Sequence, residues 1–182
     1  MESMLEESDR LELLKLARTT LETYLSSGTI PQYRTNRPAL MARAGAFVSL
    51  HCDGDLRGCI GQLVPDQELY RVVQSCAISA ATEDTRFRPL TYGELSETEI
   101  EISVLTPFRR ITDIAEIEVG RHGLLLARGV HRGLLLPQVA TQYSWDRETF
   151  LTQTCRKAGL PGNAWKDPTV AINIFEAQVF SE

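Results

Sequence analysis

The sequence predicts an α+β fold built mainly on an antiparallel sheet with helices packed on it, and three features support this class. Residues 99–104 (EIEISV) alternate strictly between polar and apolar side chains. This pattern is typical of a strand with one solvated face and therefore of an antiparallel sheet. The dipeptide Asp53-Gly54 follows an apolar run and predicts a hairpin. Residues 9–27 and 146–158 carry apolar stripes at helical spacing.

The remaining elements follow from the same periodicities and from the residues that end them. In chain order we expect a helix over 9–27, a loop over 30–38, a hairpin over 46–61, a helix over 66–82, a loop over 83–90, a strand over 99–104, one or two helical turns over 111–119, strands over 122–127 and 132–136, a helix over 146–158 and a central strand over 170–180. Gly28 and Gly159 are predicted C-terminal stops, and Asp66 and Asp146 are predicted N-caps. Pro137 is expected to end a strand.

The register of the hairpin follows from a two-residue turn directly after Cys52. Cys52 then faces Asp55, and counting back along both strands places Val48 opposite Cys59. In that register Arg57 and Cys59 point to the same face, about 7 Å apart. Cys52 and Cys59 lie about 13 Å apart along the strands, so we expect no disulfide between them.

Length, composition and charge restrict the class of protein. The chain has 182 residues, of which 43% are hydrophobic and 24% charged, and this fits one folding unit with a substantial core. Its formal charge of −5, from 19 basic and 24 acidic residues, argues against broad binding to nucleic acid. No apolar run reaches the roughly 18 residues of a membrane span, and the acidic start of the chain is unlike a leader peptide. We therefore expect a cytoplasmic protein.

The cysteines, at positions 52, 59, 76 and 155, do not form a metal-binding pattern. There is no C-x-x-C pair, and the adjacent His51 and Cys52 are expected to point to opposite faces of a strand. We expect no metal site, no cofactor and reduced thiols. Cys76 and Cys155 fall on the apolar stripes of predicted helices and are expected to be structural.

The run Leu56–Gly61 (LRGCIG) is the strongest candidate for a functional site. Gly58 and Gly61 bracket Cys59, and glycine inside a strand often marks the close approach of another group to the backbone. We interpret the two glycines as space cleared for a molecule that contacts the thiol. Arg57 is a neighbouring cation, and such a cation lowers the pKa of a thiol and raises its thiolate fraction.

Three residues elsewhere could complete the site, and each also has a structural explanation. His122 lies between Gly120 and Gly123, and it is either the acid or base that serves the thiol or a hydrogen-bonded structural histidine. Asp84 and Arg86 form either a salt bridge that ties down their loop or a clamp for an anion or carboxylate.

Several blocks of the chain together carry a family resemblance. They are, in order, GAFV at 45–48, LRGCIG at 56–61, D-x-RF-x-P at 84–89, ISVL at 102–105, GRHGL at 120–124, LPQV at 136–139, Trp145 and KAGL at 157–160. With these blocks the chain resembles the AMMECR domain family, whose prokaryotic branch is the AmmeMemoRadiSam system protein A. It departs from the family pattern at Thr85 and Arg88, where relatives commonly carry proline.

The resemblance implies a fold and a set of partners. It implies one AMMECR-type domain over residues 1–182, with a main antiparallel sheet and a smaller lobe formed by segments within 85–140. For prokaryotic members it implies action beside a Memo-like protein and a radical SAM protein. It does not supply a reaction.

Two functions are compatible with these residues. In the first, the protein is a cysteine-dependent enzyme or a ligand-binding component, with Cys59 as nucleophile or thiol ligand and His122 as acid or base. A small polar ligand would then be held by Arg57, Gly58, Gly61, Asp84 and Arg86. In the second, the protein is a non-catalytic docking or regulatory module that binds a protein partner with the same glycine-rich hairpin face. The sequence carries no P-loop, dinucleotide fingerprint, zinc-protease or serine-hydrolase motif.

Overall fold

A computed structural model describes residues 5–182 of the chain. The chain folds into two compact units, one formed by the described residues up to Leu105 together with Gln178–Glu182, and a smaller one formed by Thr106–Ala177. Each unit contains helices and an antiparallel sheet, so the α+β prediction is confirmed. The expectation of one AMMECR-type domain over the whole chain stays a prediction.

The helices and strands have the following bounds. The helices are α1 (Glu7–Ser27), α2 (Pro38–Met41), α3 (Leu69–Thr82), α4 (Pro137–Gln142) and α5 (Arg147–Lys157). Short 3-10 helices lie at Tyr92–Glu97, Ile114–Glu116 and Ala164–Lys166. The strands are β1 (Ala46–Cys52), β2 (Asp55–Gln62), β3 (Thr98–Leu105), β4 (Arg109–Ile111), β5 (Gly123–Arg128), β6 (His131–Leu135), β7 (Ala171–Phe175) and β8 (Ala177–Ser181). The sheet of the first unit has the order β2-β1-β3-β8, and that of the second unit has the order β4-β7-β5-β6.

The core of the first unit lies between its sheet and the helices α1 and α3. Alternate residues of β1, namely Ala46, Val48 and Leu50, are completely buried, as are Ile100 and Ile102 of β3. These side chains join the apolar stripes of both helices in one cluster. Because successive side chains of a strand point to opposite faces, the intervening residues of β1 and β3 lie on the other face of the sheet.

The C-terminal end of α1 confirms the predicted stop at Gly28, whereas α1 begins before the predicted residue 9 and the start of α3 also differs from the prediction. A capping box between Glu6 and Asp9 begins α1, and Gly28 ends it with a left-handed φ of 73°, which glycine adopts without steric cost. The predicted N-cap of α3, Asp66, is wrong, because Glu68 precedes the first helical residue. The backbone N–H of Leu69 donates to the Ala42 carbonyl at 2.9 Å, so a tertiary contact fixes where this helix begins.

In the second unit, α5 packs closely against β6 at a glycine, Gly133. A Cβ on Gly133 would meet the backbone of α5 at Thr154 and Ala158, so glycine allows this close contact. The predicted cap is confirmed, since the Asp146 side chain accepts from the Thr149 N–H at 2.8 Å. The predicted stop at Gly159 is also confirmed by its φ of 73°.

Two predicted elements of the second half are wrong in detail, and Pro137 has a further role that was not predicted. The central strand expected over 170–180 is two strands, β7 and β8, which belong to different sheets. Glu176 separates them, and its N–H donates to the Thr106 hydroxyl at 2.8 Å instead of continuing a strand ladder. The helical turns expected over 111–119 are reduced to one 3-10 turn, because Ile111 ends β4. Pro137 ends the preceding strand as predicted but also begins α4, where proline suits the first helical turn.

Two further expectations concern the state of the cysteines and the presence of membrane-spanning segments. All four cysteines are free thiols, and Cys76 and Cys155 are buried, as predicted for core residues. Within residues 5–182, no helix combines the length and the apolar character needed to cross a membrane.

Candidate functional site

A β-bulge in the hairpin decides which residues share a face. Leu50 pairs with Gly58, but the next residue of β1, His51, pairs with Leu56. Arg57 is therefore an extra residue on β2, with no partner of its own across the hairpin. A bulge of this kind bends a strand and shifts the side-chain alternation beyond it by one residue.

Because of the bulge, Cys59 lies opposite Ser49, and the predicted pairing with Val48 is wrong. The turn itself is as predicted, since Cys52 pairs with Asp55, and the error enters only beyond the bulge. Val48 pairs with Ile60 instead and faces the helices. Cys59 therefore lies on the face of the first sheet that carries Phe47, Ser49 and His51 of β1, which we call the outer face.

Three residues on neighbouring strands form a straight line across the outer face. Ser49 pairs with Cys59 on one side and with Glu101 on the other. Neighbouring strands are about 4.8 Å apart, so these side chains are direct neighbours. We call Cys59, Ser49 and Glu101 the transverse row. All three residues are half-buried.

The thiol of Cys59 is held by a neutral hydrogen bond in a half-buried position. The Ser49 hydroxyl donates to the Cys59 sulfur at 3.1 Å. Burial raises the pKa of this thiol, while the Ser49 hydrogen bond and then the Arg86 charge lower it. The carboxylates of Asp84 and Glu101 raise it further. The net direction is upward, which opposes formation of the thiolate that a nucleophile requires.

Asp84 and Arg86 act together on the backbone of Cys59. The buried Asp84 carboxylate accepts the Cys59 N–H at 2.9 Å, and it accepts the Nε and Nη2 groups of Arg86 at 2.9 and 2.7 Å. Arg86 Nη2 also donates to the Cys59 carbonyl at 3.4 Å. Since β2 is an edge strand, this pair closes the exposed side of the strand at Cys59. The structure therefore favours the salt-bridge alternative for Asp84, because its two oxygens are fully occupied.

Arg57 anchors the following loop and does not act on the thiol. Its Nη1 donates to the Arg88 carbonyl at 2.8 Å, and its Nη2 lies 3.3 Å from the Glu94 carboxylate. The N–H and hydroxyl of Thr91, and then Arg57, lower the pKa of Glu94 to about 2. Arg86, and not the predicted Arg57, is the cation whose charge lowers the Cys59 pKa.

The space beside Gly58 and Gly61 is filled by the protein itself. A Cβ on Gly58 would collide with the Ala80 carbonyl of α3, and a Cβ on Gly61 would collide with the ring of Phe47. Close approach is indeed why both positions are glycine, but the approaching groups are a helix backbone and an aromatic ring. The interpretation that these glycines make room for a foreign molecule is wrong.

His122 lies in the second unit and forms a local turn. Its Nδ1 accepts the Glu118 N–H at 3.0 Å, and its own N–H donates to the Glu118 carbonyl at 2.9 Å. Its Nε2 lies 4.0 Å from the Glu176 carboxylate, and the residue is buried. These contacts support the structural alternative for His122. Its pairing with Cys59, which belongs to the first unit, stays a prediction.

The residues that adjoin the thiol on the neighbouring strands were not predicted from the sequence. Ser49 and Glu101 complete the transverse row, and His51 lies one row away, opposite Glu99. The ring nitrogen Nε2 of His51 is buried without a hydrogen-bond partner in the described part of the chain. The alternation of residues 46–52 and 99–104 places these side chains on one polar face, but only the register shows which of them adjoin Cys59.

Comparison with known proteins shows the family of the chain and agrees with its fold. The sequence model of the AMMECR1 family matches residues 14–180, almost the whole chain. The chain belongs to the AMMECR1 family. It is 42% identical to protein MK0488 of Methanopyrus kandleri, over 93% of this chain and 86% of that protein. It is 41% identical to protein Mbar_A1807 of Methanosarcina barkeri, over 98% and 93% of the two chains.

A solved structure shows the same fold in another member. The crystal structure of the uncharacterized protein PH0010 from Pyrococcus horikoshii matches with a TM-score of 0.87 and 38% sequence identity. The match covers 94% of this chain and 90% of that one. The family and the fold predicted from the sequence blocks are thereby confirmed.

Substituting Gly58 tests whether packing explains the motif. We expect Gly58→Ala to lower the free energy of unfolding by about 1–3 kcal/mol, because the new methyl group overpacks against the Ala80 carbonyl. The control is Gly93→Ala, where a Cβ would meet no atom within 4 Å and the change should stay within about 0.5 kcal/mol. Urea unfolding followed by circular dichroism measures both. Equal stability of the two variants would contradict the packing explanation.

Substituting Asp84 tests the closure of the strand edge. Arg86 and the Cys59 N–H hold the pKa of Asp84 well below its usual range, so its stabilising effect is complete above the unfolded pKa of about 3.9 and is lost as the pH falls toward the folded value. We expect Asp84→Asn to lower the free energy of unfolding at pH 7 by about 2 kcal/mol.

The difference between Asp84→Asn and the original protein should shrink progressively below about pH 4. Urea unfolding at a series of pH values measures it. The control is Asp66→Asn, because Asp66 is exposed and has no hydrogen bond or ion pair with residues 5–182. A difference that stays constant from pH 7 to the acid range would show that the charge of Asp84 is not responsible.

Proposed function

We propose that this AMMECR1-family protein is a ligand-binding component in which Cys59 contacts a bound molecule without acting as a nucleophile. The observation that carries the proposal is the hydrogen bond from Ser49 to the Cys59 sulfur within the transverse row. It fixes a half-buried, uncharged thiol between an arginine at the strand edge and a carboxylate on β3. Such a row offers several kinds of polar and soft contact within about 10 Å, as a specific binding site requires.

Catalysis by Cys59 is less well supported than binding. A cysteine nucleophile needs a lowered pKa or an adjacent base, and burial instead raises the pKa of Cys59. The base named from the sequence, His122, already uses Nδ1 as an acceptor within its own turn. Asp84, the nearest carboxylate to the Cys59 backbone, is neutralised by Arg86. These contacts favour a site that holds a ligand over one that attacks it.

A docking module on the same hairpin is also less well supported. Its rationale was a surface left open by glycines, and Gly58 and Gly61 are covered by Ala80 and Phe47. We propose instead that the protein is cytoplasmic and works with a Memo-like protein and a radical SAM protein by binding a small ligand. This part of the proposal is supported by the family resemblance of the motif blocks.

The pH dependence of thiol alkylation separates binding from catalysis. With iodoacetamide and peptide mapping by mass spectrometry, we expect Cys59 to titrate above the reference value of about 8.5, because the thiolate is disfavoured by burial. Ser49→Ala should raise the pKa further, since the hydroxyl stabilises the thiolate by donating a hydrogen bond. His122→Ala should leave the titration unchanged. A pKa well below 8.5 that rises in His122→Ala would overturn the proposal in favour of a cysteine enzyme.

The proposed partners are tested by mixing purified proteins. We expect the chain to co-elute in size-exclusion chromatography with the Memo-like or the radical SAM protein from the same genome. If the site binds a small ligand and is not the docking surface, Ser49→Ala should leave co-elution unchanged. Loss of co-elution in that variant, at unchanged thermal stability, would favour the docking alternative.

A further inference from the structure

We propose that the ligand of the transverse row is a small zwitterion, with its anionic end at Arg86 and its cationic end at Glu101. This inference rests on the proposed function and specifies its ligand. The molecule would lie across Cys59 and Ser49, perpendicular to the strands. Its two charges would be separated by an uncharged chain that contacts the thiol and the hydroxyl.

The binding position for the anionic end of the ligand is indicated by one nitrogen of Arg86, Nη1. Nε and Nη2 of Arg86 are held by Asp84, and Nη2 also reaches the Cys59 carbonyl. Nη1 donates no hydrogen bond to any residue within 5–182, and 57% of the side chain is exposed. The carboxylate of Asp84 thus fixes the plane of the guanidinium and leaves one N–H₂ group for an incoming anion. A preoriented guanidinium is well suited to bind a carboxylate.

The cationic end is indicated by Glu101. This residue is half-buried at the other end of the transverse row, and within residues 5–182 its carboxylate has neither a salt bridge nor a hydrogen bond. Its charge reaches the Cys59 thiol, whose pKa it raises. Its neighbour on the outer face of β3, Glu99, is also acidic. A partly desolvated carboxylate next to a second acid favours a positively charged group from outside.

The spacing of the strands limits the length of the ligand. Cys59 and Glu101 are separated by β1, so their backbones are two strand spacings apart, about 10 Å. Arg86 reaches the Cys59 carbonyl at one end of this distance and Glu101 stands at the other, so the charges of the ligand should be up to about 10 Å apart. An α-amino acid with an uncharged side chain is too short, whereas an amino acid with a distal amine fits.

A nitrogen of His51 without a hydrogen-bond partner lies beside the transverse row. The Nε2 atom of His51 is buried and has no hydrogen-bond partner within residues 5–182. His51 lies two residues from Ser49 on the same face of β1, next to the transverse row. Buried polar atoms without partners are uncommon in native proteins and need an explanation. A ligand would contact this atom only after the groups that cover it had moved, so His51 is a polar neighbour of the row and not a preformed contact.

The experiment compares one zwitterion with two molecules that each carry one of its charges. The probes are 6-aminohexanoate, hexanoate and hexylamine, titrated into the ¹⁵N-labelled full chain and followed by the amide signals of Cys59 and Ser49. We expect saturable shifts with 6-aminohexanoate and affinities weaker by about tenfold or more for each singly charged probe. Equal affinities, or no saturable shift with the zwitterion, would overturn the inference.

A substitution of Glu101 tests whether this residue binds the cationic end of the ligand. Glu101→Gln keeps the shape of the side chain and should reduce the affinity for 6-aminohexanoate to that for hexanoate, without changing the binding of hexanoate. The matched control is Glu22→Gln at an exposed position of α1, for which the affinity ratio of the two probes should be retained. Thermal unfolding of both variants verifies that they remain folded. An unchanged ratio in Glu101→Gln would refute the cationic subsite.

Alkylation of Cys59 distinguishes failure of this inference from failure of the proposed function. We expect 6-aminohexanoate to slow alkylation of Cys59 and hexylamine to do so less. If the thiol titrates above its reference value but the probes do not discriminate, only the zwitterion is rejected. If the thiol titrates well below that value with dependence on His122, the proposed function itself falls.

Discussion

The carboxylate of Asp84 is the constraint on which the candidate site depends. It is buried, and it collects the N–H of Cys59 and two nitrogens of Arg86 on its two oxygens. An ionised carboxylate loses its hydration when it is buried, so it is stable there only because these donors replace the water. The same contacts close the edge strand β2, which would otherwise present unpaired backbone groups to other chains.

The β-bulge at Arg57 is the second constraint, because it determines to which face of the sheet the side chains of β2 point. Beyond the extra residue, every side chain of β2 changes face relative to β1. Without the bulge, Cys59 would lie opposite Val48 and point into the core. With it, the thiol reaches the outer face, and the guanidinium of Arg57 is free to bind the loop at Arg88 and Glu94.

The sequence was sufficient for the fold class and for most of the elements, because these depend on local periodicity and caps. Asp146 and Gly159, for example, act within a few residues of their own positions. The start of α3 was missed because it depends on the Ala42 carbonyl, far away in the chain. The division of residues 170–180 was missed because both halves are apolar enough for strands, and only the Glu176–Thr106 contacts separate them.

The candidate site was predictable in its position but not in its composition. Three of its members, Cys59, Asp84 and Arg86, stand in recognisable blocks, and the charge pair could be inferred from spacing. Its other members could not be found this way, because a bulge leaves no periodic signal in the sequence and a shift of one residue reverses every face assignment. Ser49 and Glu101 therefore had no visible relation to the thiol until the register was known.

The run Leu56–Gly61 positions Cys59, whereas the charged side chains of the candidate site come from other segments of the chain. Within Leu56–Gly61, both glycines serve internal packing and Arg57 serves the loop, so Cys59 alone presents a reactive atom to the outer face. A single uncharged thiol has little power to select a ligand. The charges that could select one lie on Arg86 and Glu101, on either side of it. In the proposed binding site, specificity would therefore come from residues outside the six-residue run. The run itself keeps the strand close to α3 and holds the thiol between those charges.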